Sequence, residues 1–118
     1  MKIFGKELIG YQTPKFQVEI EKGRLKLFSK AIGETAAVYV DEEVAKSLGY
    51  RSLPVPPTFL FCLEMERVDP YDWMLELEIP LANVLHAGQS FTYHQTACAG
   101  DILQFRGEII DVYGKKNN

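Results

Sequence analysis

The sequence predicts an α+β domain in which a curved antiparallel sheet wraps one long buried helix. Residues 59 to 63, "FLFCL", are apolar throughout, which fits a helix that begins at Pro57 and also a buried strand. We favour the helix, and a helix with no polar face needs cover on all its sides. Residues 89 to 97 and 102 to 113 alternate apolar and polar side chains around the turn-forming "AGD", which indicates two half-buried strands in a hairpin. Because helix and sheet would bury each other, we expect neither to be stable alone.

Three further elements are predicted before that helix. After an irregular lead-in over residues 1 to 15, residues 16 to 20 alternate in the manner of a strand. Apolar residues at helical spacing follow from residue 23 and end at Gly33, a residue suited to stopping a helix. A two-turn helix is predicted between Asp41, as its N-cap, and Gly49.

Composition excludes several classes of protein. The 118 residues are enough for one domain, and a net charge of -3 without a basic stripe argues against a nucleic-acid partner. The longest apolar run is too short to span a bilayer, and no signal-peptide pattern is visible, so we expect a cytoplasmic protein with no membrane partner. Cys62 and Cys98 have no close-spaced cysteine partner, which predicts neither a metal site nor a disulfide framework. We expect no metal or cofactor, and we expect Cys62 to be an inert thiol in the core.

The predicted sheet is too short to cover an apolar helix and protect its own edges. The last residues, "GKKNN", resemble a turn with no strand after it. We therefore expect a single domain over residues 1 to 118 whose sheet is completed by another chain, or whose C-terminal strands are absent. At least a dimer is expected in either case.

Few residues are candidates for chemistry. His94 lies on the polar face of a predicted strand with no visible partner, whereas His86 lies in a loop beside Ala87 and Gly88. Glu34 could act as a general base if it were buried, although exposure after a helix end is the simpler alternative. Tyr39 is interpreted as a packing aromatic residue, and Asp41 as a cap. At the start of the buried helix, an unpaired Thr58 N–H could stabilise a carbonyl that gains negative charge, or could simply be solvated.

Three blocks together resemble the N-terminal-type MaoC dehydratase domain, a branch of the hot-dog-fold hydratases and dehydratases. They are "AIGETAAVYVDEEVAKSLGY", "LPVPPTFLF" and "NVLHAGQSFTYHQTACAGDILQFRGEIIDVY", and the resemblance runs from about residue 5 onward. Active members carry the pattern DxNPxH in the first block, and its aspartate and histidine hold the water that is added to, or removed from, an acyl thioester. Here Glu34 stands at the aspartate, Ala36 and Ala37 at the asparagine and proline, and Tyr39 at the histidine. A tyrosine hydroxyl is a poor base at neutral pH, so the resemblance implies that the acid–base pair is missing here.

The resemblance also implies which residues contact the substrate. The family's "AHG" block corresponds to Pro56-Pro57-Thr58, which leaves the Thr58 N–H as the inherited donor to the thioester carbonyl. Substrate contacts are implied at five positions: Ala36, Ala37, Pro57, Thr58 and Phe59.

Three functions remain open at this point. The favoured one is a non-catalytic, acyl-binding subunit of an (R)-specific enoyl hydratase or 3-hydroxyacyl dehydratase, a lyase of fatty acid metabolism that acts on acyl-CoA or acyl-ACP. Its partner would be a catalytic hot-dog subunit with the intact motif. The second is an enzyme that is active alone, with Glu34 or His86 as its acid–base group. The third is a non-catalytic thioester-binding or structural protein.

Overall fold

The computed structural model describes residues 5 to 114, in which two strands form a small antiparallel sheet. Its strands are β1 (Phe16–Glu19) and β2 (Ile102–Phe105), in a register that places Phe16 opposite Phe105. These two rings stack with their centroids 5.2 Å apart. The strand predicted from residues 16 to 20 is therefore confirmed.

Helices and turns complete the regular structure of residues 5 to 114. The helices are α1 (Lys22–Ala31), α2 (Glu42–Ser47), α3 (Phe59–Glu64) and α4 (Asp72–Glu76), and 3₁₀ turns span Lys6–Leu8, Ala37–Tyr39 and Leu81–Asn83. The combination of helices with an antiparallel sheet confirms the α+β class.

Local signals determine where α1 and α2 begin and end. Gly33 follows α1 with a φ of +75°, a left-handed conformation that glycine adopts without steric cost. The carboxylate of Asp41 caps α2 by accepting hydrogen bonds from the N–H groups of Glu43, at 3.0 Å, and Val44, at 3.4 Å. The predicted N-cap and the predicted glycine stop are both confirmed.

The core forms where β1, α1, α2 and α3 meet. Leu25 of α1 and Leu63 of α3 have no exposed surface, and the ring of Phe59 packs on that of Phe28 with centroids 4.7 Å apart. The buried apolar residues are Val18, Ile20, Leu25, Ala45, Leu53, Phe59, Leu63 and Cys98. Cys62, which was predicted in the core, is only partly buried against it, whereas Cys98 is buried.

An aspartate fastens the turn that precedes β2. Asp101 accepts hydrogen bonds from the N–H of Cys98 at 2.9 Å and from the guanidinium of Arg51 at 2.5 Å. These bonds, first that from Cys98 and then that from Arg51, lower the pKa of the Asp101 carboxyl below its ordinary value.

The predicted hairpin between residues 89–97 and 102–113 is wrong. β2 pairs with β1, and residues 89–97 form no strand. The "AGD" turn exists, but it brings the chain back to β1, because the Gly100 N–H donates to the Ile20 carbonyl at 2.8 Å. β2 also ends at Phe105, since the pairing beyond it continues only through single contacts such as the bridge between Gln12 and Glu108. The alternating pattern in the sequence indicates an extended segment but does not indicate which strand that segment pairs with.

The predicted central helix is also shorter than expected. α3 has six residues and begins at Phe59, because Pro57 lies in a turn and Thr58 adopts a left-handed φ of +75°. Only Phe59 and Leu63 of this helix are buried, and the remaining apolar residues are partly covered. The helix is therefore only partly covered by the described chain instead of being buried on all sides.

The molecule is expanded for its length. Its Cα radius of gyration is 17.7 Å, against about 13 Å for a compact domain of this size. Residues 67 to 96 are the least integrated segment, since their backbone hydrogen bonds to other described residues stay within the segment. The predicted lead-in is described only from Gly5, and the predicted terminal turn lies outside the described residues except for Gly114.

Candidate functional site

The loop between α1 and α2 holds the positions that align with the DxNPxH motif. Glu34 is partly buried, and its Oε1 accepts a hydrogen bond from the Ala36 N–H at 2.9 Å. Ala36 and Ala37 are exposed, and Tyr39 is partly buried at the end of the 3₁₀ turn. Asp41 caps α2, so the carboxylates of Glu34 and Asp41 both accept hydrogen bonds from nearby backbone N–H groups.

A cavity of about 220 Å³ lies between this loop and the start of α3. Tyr39, Pro57 and Tyr93 are among its lining residues. The Thr58 N–H beside it donates a hydrogen bond to the Tyr93 Oη at 3.0 Å. A substrate carbonyl would therefore have to displace the Tyr93 hydroxyl before it could use this donor.

A larger cavity, which we call the apolar groove, has a volume of about 700 Å³. The sheet contributes Phe16 and Phe105, α3 contributes Phe61, and α4 contributes Trp73 and Met74. Its further lining includes Thr13, Glu64, Met65, Arg67, Pro70, Tyr71, Leu81, Val84, Leu85, His86, Ala87, Gln89, Arg106, Gly107, Glu108 and Ile109. Its size and mostly apolar walls are those of a site for a small, largely hydrophobic ligand.

Helix α4 covers the groove and is held mainly by side chains. The Tyr11 hydroxyl donates a hydrogen bond to Glu76 Oε2 at 2.9 Å, and the Tyr11 ring stacks on Trp73 with centroids 6.3 Å apart. The pKa of Tyr11 is raised above its ordinary value. The larger cause is loss of solvation, and the second is the hydrogen bond to Glu76. No residue of α4 is buried, so this cover depends on a few contacts.

The candidate acid–base residues lie in different places. Glu34 belongs to the loop, Tyr39 lines the small cavity, and His86 borders the apolar groove. The His86 ring is exposed and stacks parallel to Phe61, with centroids 5.8 Å apart. His94 is exposed and lines neither cavity. Although Glu34 and Tyr39 share one loop, neither of the two cavities is lined by more than one of these four residues.

The predicted substrate contacts are similarly dispersed. Phe59 is only 2% exposed, lies under the Arg24 guanidinium at 5.3 Å and lines neither cavity. Ala36 and Ala37 lie on the surface and also line neither cavity, whereas Pro57 lines the smaller one.

The sequence interpretation missed the residues that build the groove. Trp73 and Met74 lie between the predicted helix and the predicted strands, where the sequence predicts no element, and Tyr11 lies in the lead-in. The available signal was the density of large apolar side chains between Met65 and Met74 in a segment with no predicted element of its own. Such side chains need a surface to cover, and here that surface is the sheet and α3.

Residues 5 to 114 hold neither a cluster of metal-ligating side chains nor a helix that could cross a membrane. No group of three or more His, Cys, Asp and Glu side chains there is arranged to hold a metal ion. No helix in that range is long and apolar enough to cross a membrane.

Comparison of the sequence with known families gives one match over nearly the whole chain. Residues 7–118 match the model of the FAS1-like, dehydratase domain region. The UPF0336 protein of Streptomyces avermitilis is 30% identical over 105 residues, which cover 89% of this chain and 70% of that protein. The UPF0336 protein of Streptomyces griseus is 34% identical over 97 residues, which cover 82% of this chain and 63% of that protein.

Two solved structures from Mycobacterium tuberculosis share the architecture. One is the C-terminally truncated HadBC (3R-hydroxyacyl-ACP dehydratase) complex, with a TM-score of 0.80 at 23% identity over 93% of this chain and 81% of that chain. The other is the ChsH1-ChsH2 complex, with a TM-score of 0.71 at 20% identity over 91% of this chain and 70% of that chain. At these identities the likeness shows the fold, and the predicted hot-dog fold is confirmed.

Proposed function

This chain belongs to the family of FAS1-like dehydratase domain regions, which has the MaoC-like hot-dog fold, and from that premise we propose that it is an acyl-binding, non-catalytic subunit. The enzyme would be an (R)-specific enoyl hydratase or 3-hydroxyacyl dehydratase that acts on an acyl-CoA or acyl-ACP thioester. Proton transfer in that enzyme is assigned to a second hot-dog subunit with an intact DxNPxH motif.

The apolar groove is the observation that carries this proposal. Its volume of about 700 Å³ lies within the range of ligand sites, and aromatic and methionine side chains make up much of its wall. Each methylene group removed from water contributes about 0.8 kcal/mol, so such a groove favours a flexible acyl chain over a polar ligand.

The motif loop supports the same division of labour. General acid–base catalysis needs a titratable group within hydrogen-bond reach of the transferred proton, and usually a second group that orients it. Here the Glu34 carboxylate bonds the loop's own backbone, and a tyrosine occupies the histidine position. The missing acid and base would come from the partner.

The need for a partner is supported by the incomplete packing of this chain. Residues 85 to 96 form no backbone hydrogen bonds to other described residues, and residues 81 to 90 are exposed throughout. A segment in this state offers its peptide groups to a neighbouring chain. Both similar structures are complexes by name, HadBC and ChsH1-ChsH2, and by analogy we place this chain in a heteromer.

The direct test is an enoyl-CoA hydration assay of the purified chain and of the chain co-purified with a hot-dog protein that carries DxNPxH. We expect no turnover by this chain alone, full turnover in the mixture, and weaker turnover by the partner alone, because the partner would lack the acyl groove. Turnover by the isolated chain would identify a self-sufficient enzyme. Thioester binding without turnover in any mixture would identify a binding module.

A further inference from the structure

The antiparallel pairing of the two strand segments is interrupted just beyond the pair formed by Phe16 and Phe105. Regular pairing ends at Phe105 and resumes with a 2.9 Å hydrogen bond from the Thr13 N–H to the Gly107 carbonyl. Residues 14 and 15 of the first strand therefore lie opposite Arg106 alone. This arrangement of two residues against one is a β-bulge, a feature that often redirects side chains beside functional sites.

Beside the bulge, two cations line one depression, and neither has an acidic partner among residues 5 to 114. Lys15 and Arg106 are both exposed, and with Gln104 they line a polar depression of about 370 Å³. Neither forms an ion pair with another residue between positions 5 and 114. Glu108, two residues further along the strand, is hydrogen-bonded to the Gln12 amide at 3.0 Å. Both charges are exposed to solvent and neither is neutralised by the described chain, so both are available to an external anion.

The depression adjoins the apolar groove. Arg106 borders both cavities, so the cationic pair lies beside a site suited to an apolar chain. A ligand that combines an apolar chain with an anionic group could therefore occupy both. Guanidinium and ammonium groups are the usual protein donors to phosphate, and the Gln104 amide can add a neutral hydrogen bond.

We infer that Lys15, Gln104 and Arg106 form an anion site for the phosphate of a thioester whose acyl chain lies in the apolar groove. The inference rests on the proposed acyl-binding function and adds the place where the charged end of the ligand is held. Coenzyme A and the phosphopantetheine of a carrier protein share this phosphate chemistry. Lys15 and Arg106 are positioning residues in this arrangement and take no part in proton transfer.

The test compares three ligands with the same acyl chain: octanoyl-CoA, octanoyl-carrier protein, and octanoyl-pantetheine, which carries no phosphate. Titration calorimetry would be performed on the full chain and on the Lys15→Gln/Arg106→Gln variant. Two exposed ion pairs are worth about tenfold in affinity, so we expect the dissociation constant to rise by that factor for a phosphate-bearing ligand and by less than twofold for octanoyl-pantetheine. A rise with octanoyl-CoA alone would assign the site to the nucleotide carrier, and a rise with both would assign it to their common phosphate. The charge-matched control is Lys26→Gln/Lys30→Gln on the exposed side of α1, which should change none of the three constants.

Two outcomes separate this inference from the function it rests on. If all three thioesters bind and the variant binds each as tightly as the unchanged chain does, the anion site is wrong while acyl binding stands. If no thioester binds, the proposed function is wrong, and the anion site is then judged with inorganic diphosphate. The amide NMR resonances of Lys15, Gln104 and Arg106 should then shift as diphosphate is titrated in. Resonances that do not shift would overturn the site.

Stability gives a readout that needs no ligand. Because the Arg106 guanidinium is exposed and has no ion-pair partner among residues 5 to 114, Arg106→Gln should leave the melting temperature nearly unchanged. A clear fall would show that the charge serves the fold, and would also overturn the inference.

Discussion

A bulky side chain placed in the apolar groove should abolish the dependence of binding on acyl chain length. Ala87 lines the groove from an irregular, exposed segment, so Ala87→Trp adds a large ring inside the groove without removing a core contact. The chosen ligands are saturated butanoyl-CoA and octanoyl-CoA, because neither has a double bond that could be hydrated during the measurement.

The size of the effect follows from the area that the acyl chain buries. Four additional methylene groups at about 0.8 kcal/mol each give up to roughly 3 kcal/mol, or about 200-fold in the dissociation constant. This is an upper bound, since a flexible chain also loses conformational freedom on binding, and a tenfold to hundredfold ratio is expected in practice. In Ala87→Trp the ratio of the butanoyl-CoA dissociation constant to the octanoyl-CoA dissociation constant should fall toward one, mainly because octanoyl-CoA binds more weakly.

The matched control is Ala36→Trp. Ala36 is also an exposed alanine in an irregular loop, and it lines neither cavity, so the structure predicts an unchanged ratio there. Titration calorimetry of the assembled complex measures all the constants, and circular dichroism verifies that each variant is folded. If Ala36→Trp lowers the ratio and Ala87→Trp does not, the acyl chain follows the motif loop and the assignment of the groove is refuted.

Three further predictions concern stability and dynamics. Ser29 is fully buried and its hydroxyl has no partner among the described residues. Ser29→Ala should therefore stabilise the fold by about 1 kcal/mol, which would raise the melting temperature by a few degrees. A lower melting temperature would mean that the hydroxyl is hydrogen-bonded. Folding lowers the pKa of Asp101, so its carboxylate contributes stability above the unfolded-state value near 4 and loses it as the pH falls through the folded-state value. The melting-temperature gap between the unchanged chain and Asp101→Asn should therefore shrink as the pH falls from 7 to about 3, and a constant gap would contradict this. Tyr11→Phe removes the hydrogen bond to Glu76 but keeps the ring. Amide hydrogen exchange in α4 should therefore accelerate, while the melting temperature of the whole chain changes little. Unchanged exchange would show that other contacts hold the helix.

Features set by neighbouring residues could be predicted from the sequence. The cap at Asp41 and the stop at Gly33 depend on atoms within a few positions, and the strand around Val18 shows its burial in its own alternation. The pairing of residues 102 to 105 could not be predicted in the same way, because period-two patterns are alike in every half-buried strand. The choice of β1 as partner is made by distant packing, such as the contact between the rings of Phe16 and Phe105.

The candidate site shows the same limit. The proposal that the acid–base pair is missing rests on the residues themselves, since Tyr39 stands where the resembled family has histidine. The groove is different, because it exists only where Trp73 and Met74 come to lie over the sheet. That placement depends on long-range contacts such as the one between Tyr11 and Trp73, which no local pattern encodes.

The claim that this chain binds the acyl group but transfers no proton is tested most directly by removing its three candidate acid–base groups together. The variant Glu34→Ala/Tyr39→Phe/His86→Phe keeps a ring beside Phe61, and it would be co-purified with the partner subunit and assayed for enoyl-CoA hydration. We predict that kcat stays within about twofold of the unmodified complex, because loss of a true general acid or base costs about 10²–10⁴-fold. A fall of that size in a complex that remains assembled would show that this chain is itself the catalyst.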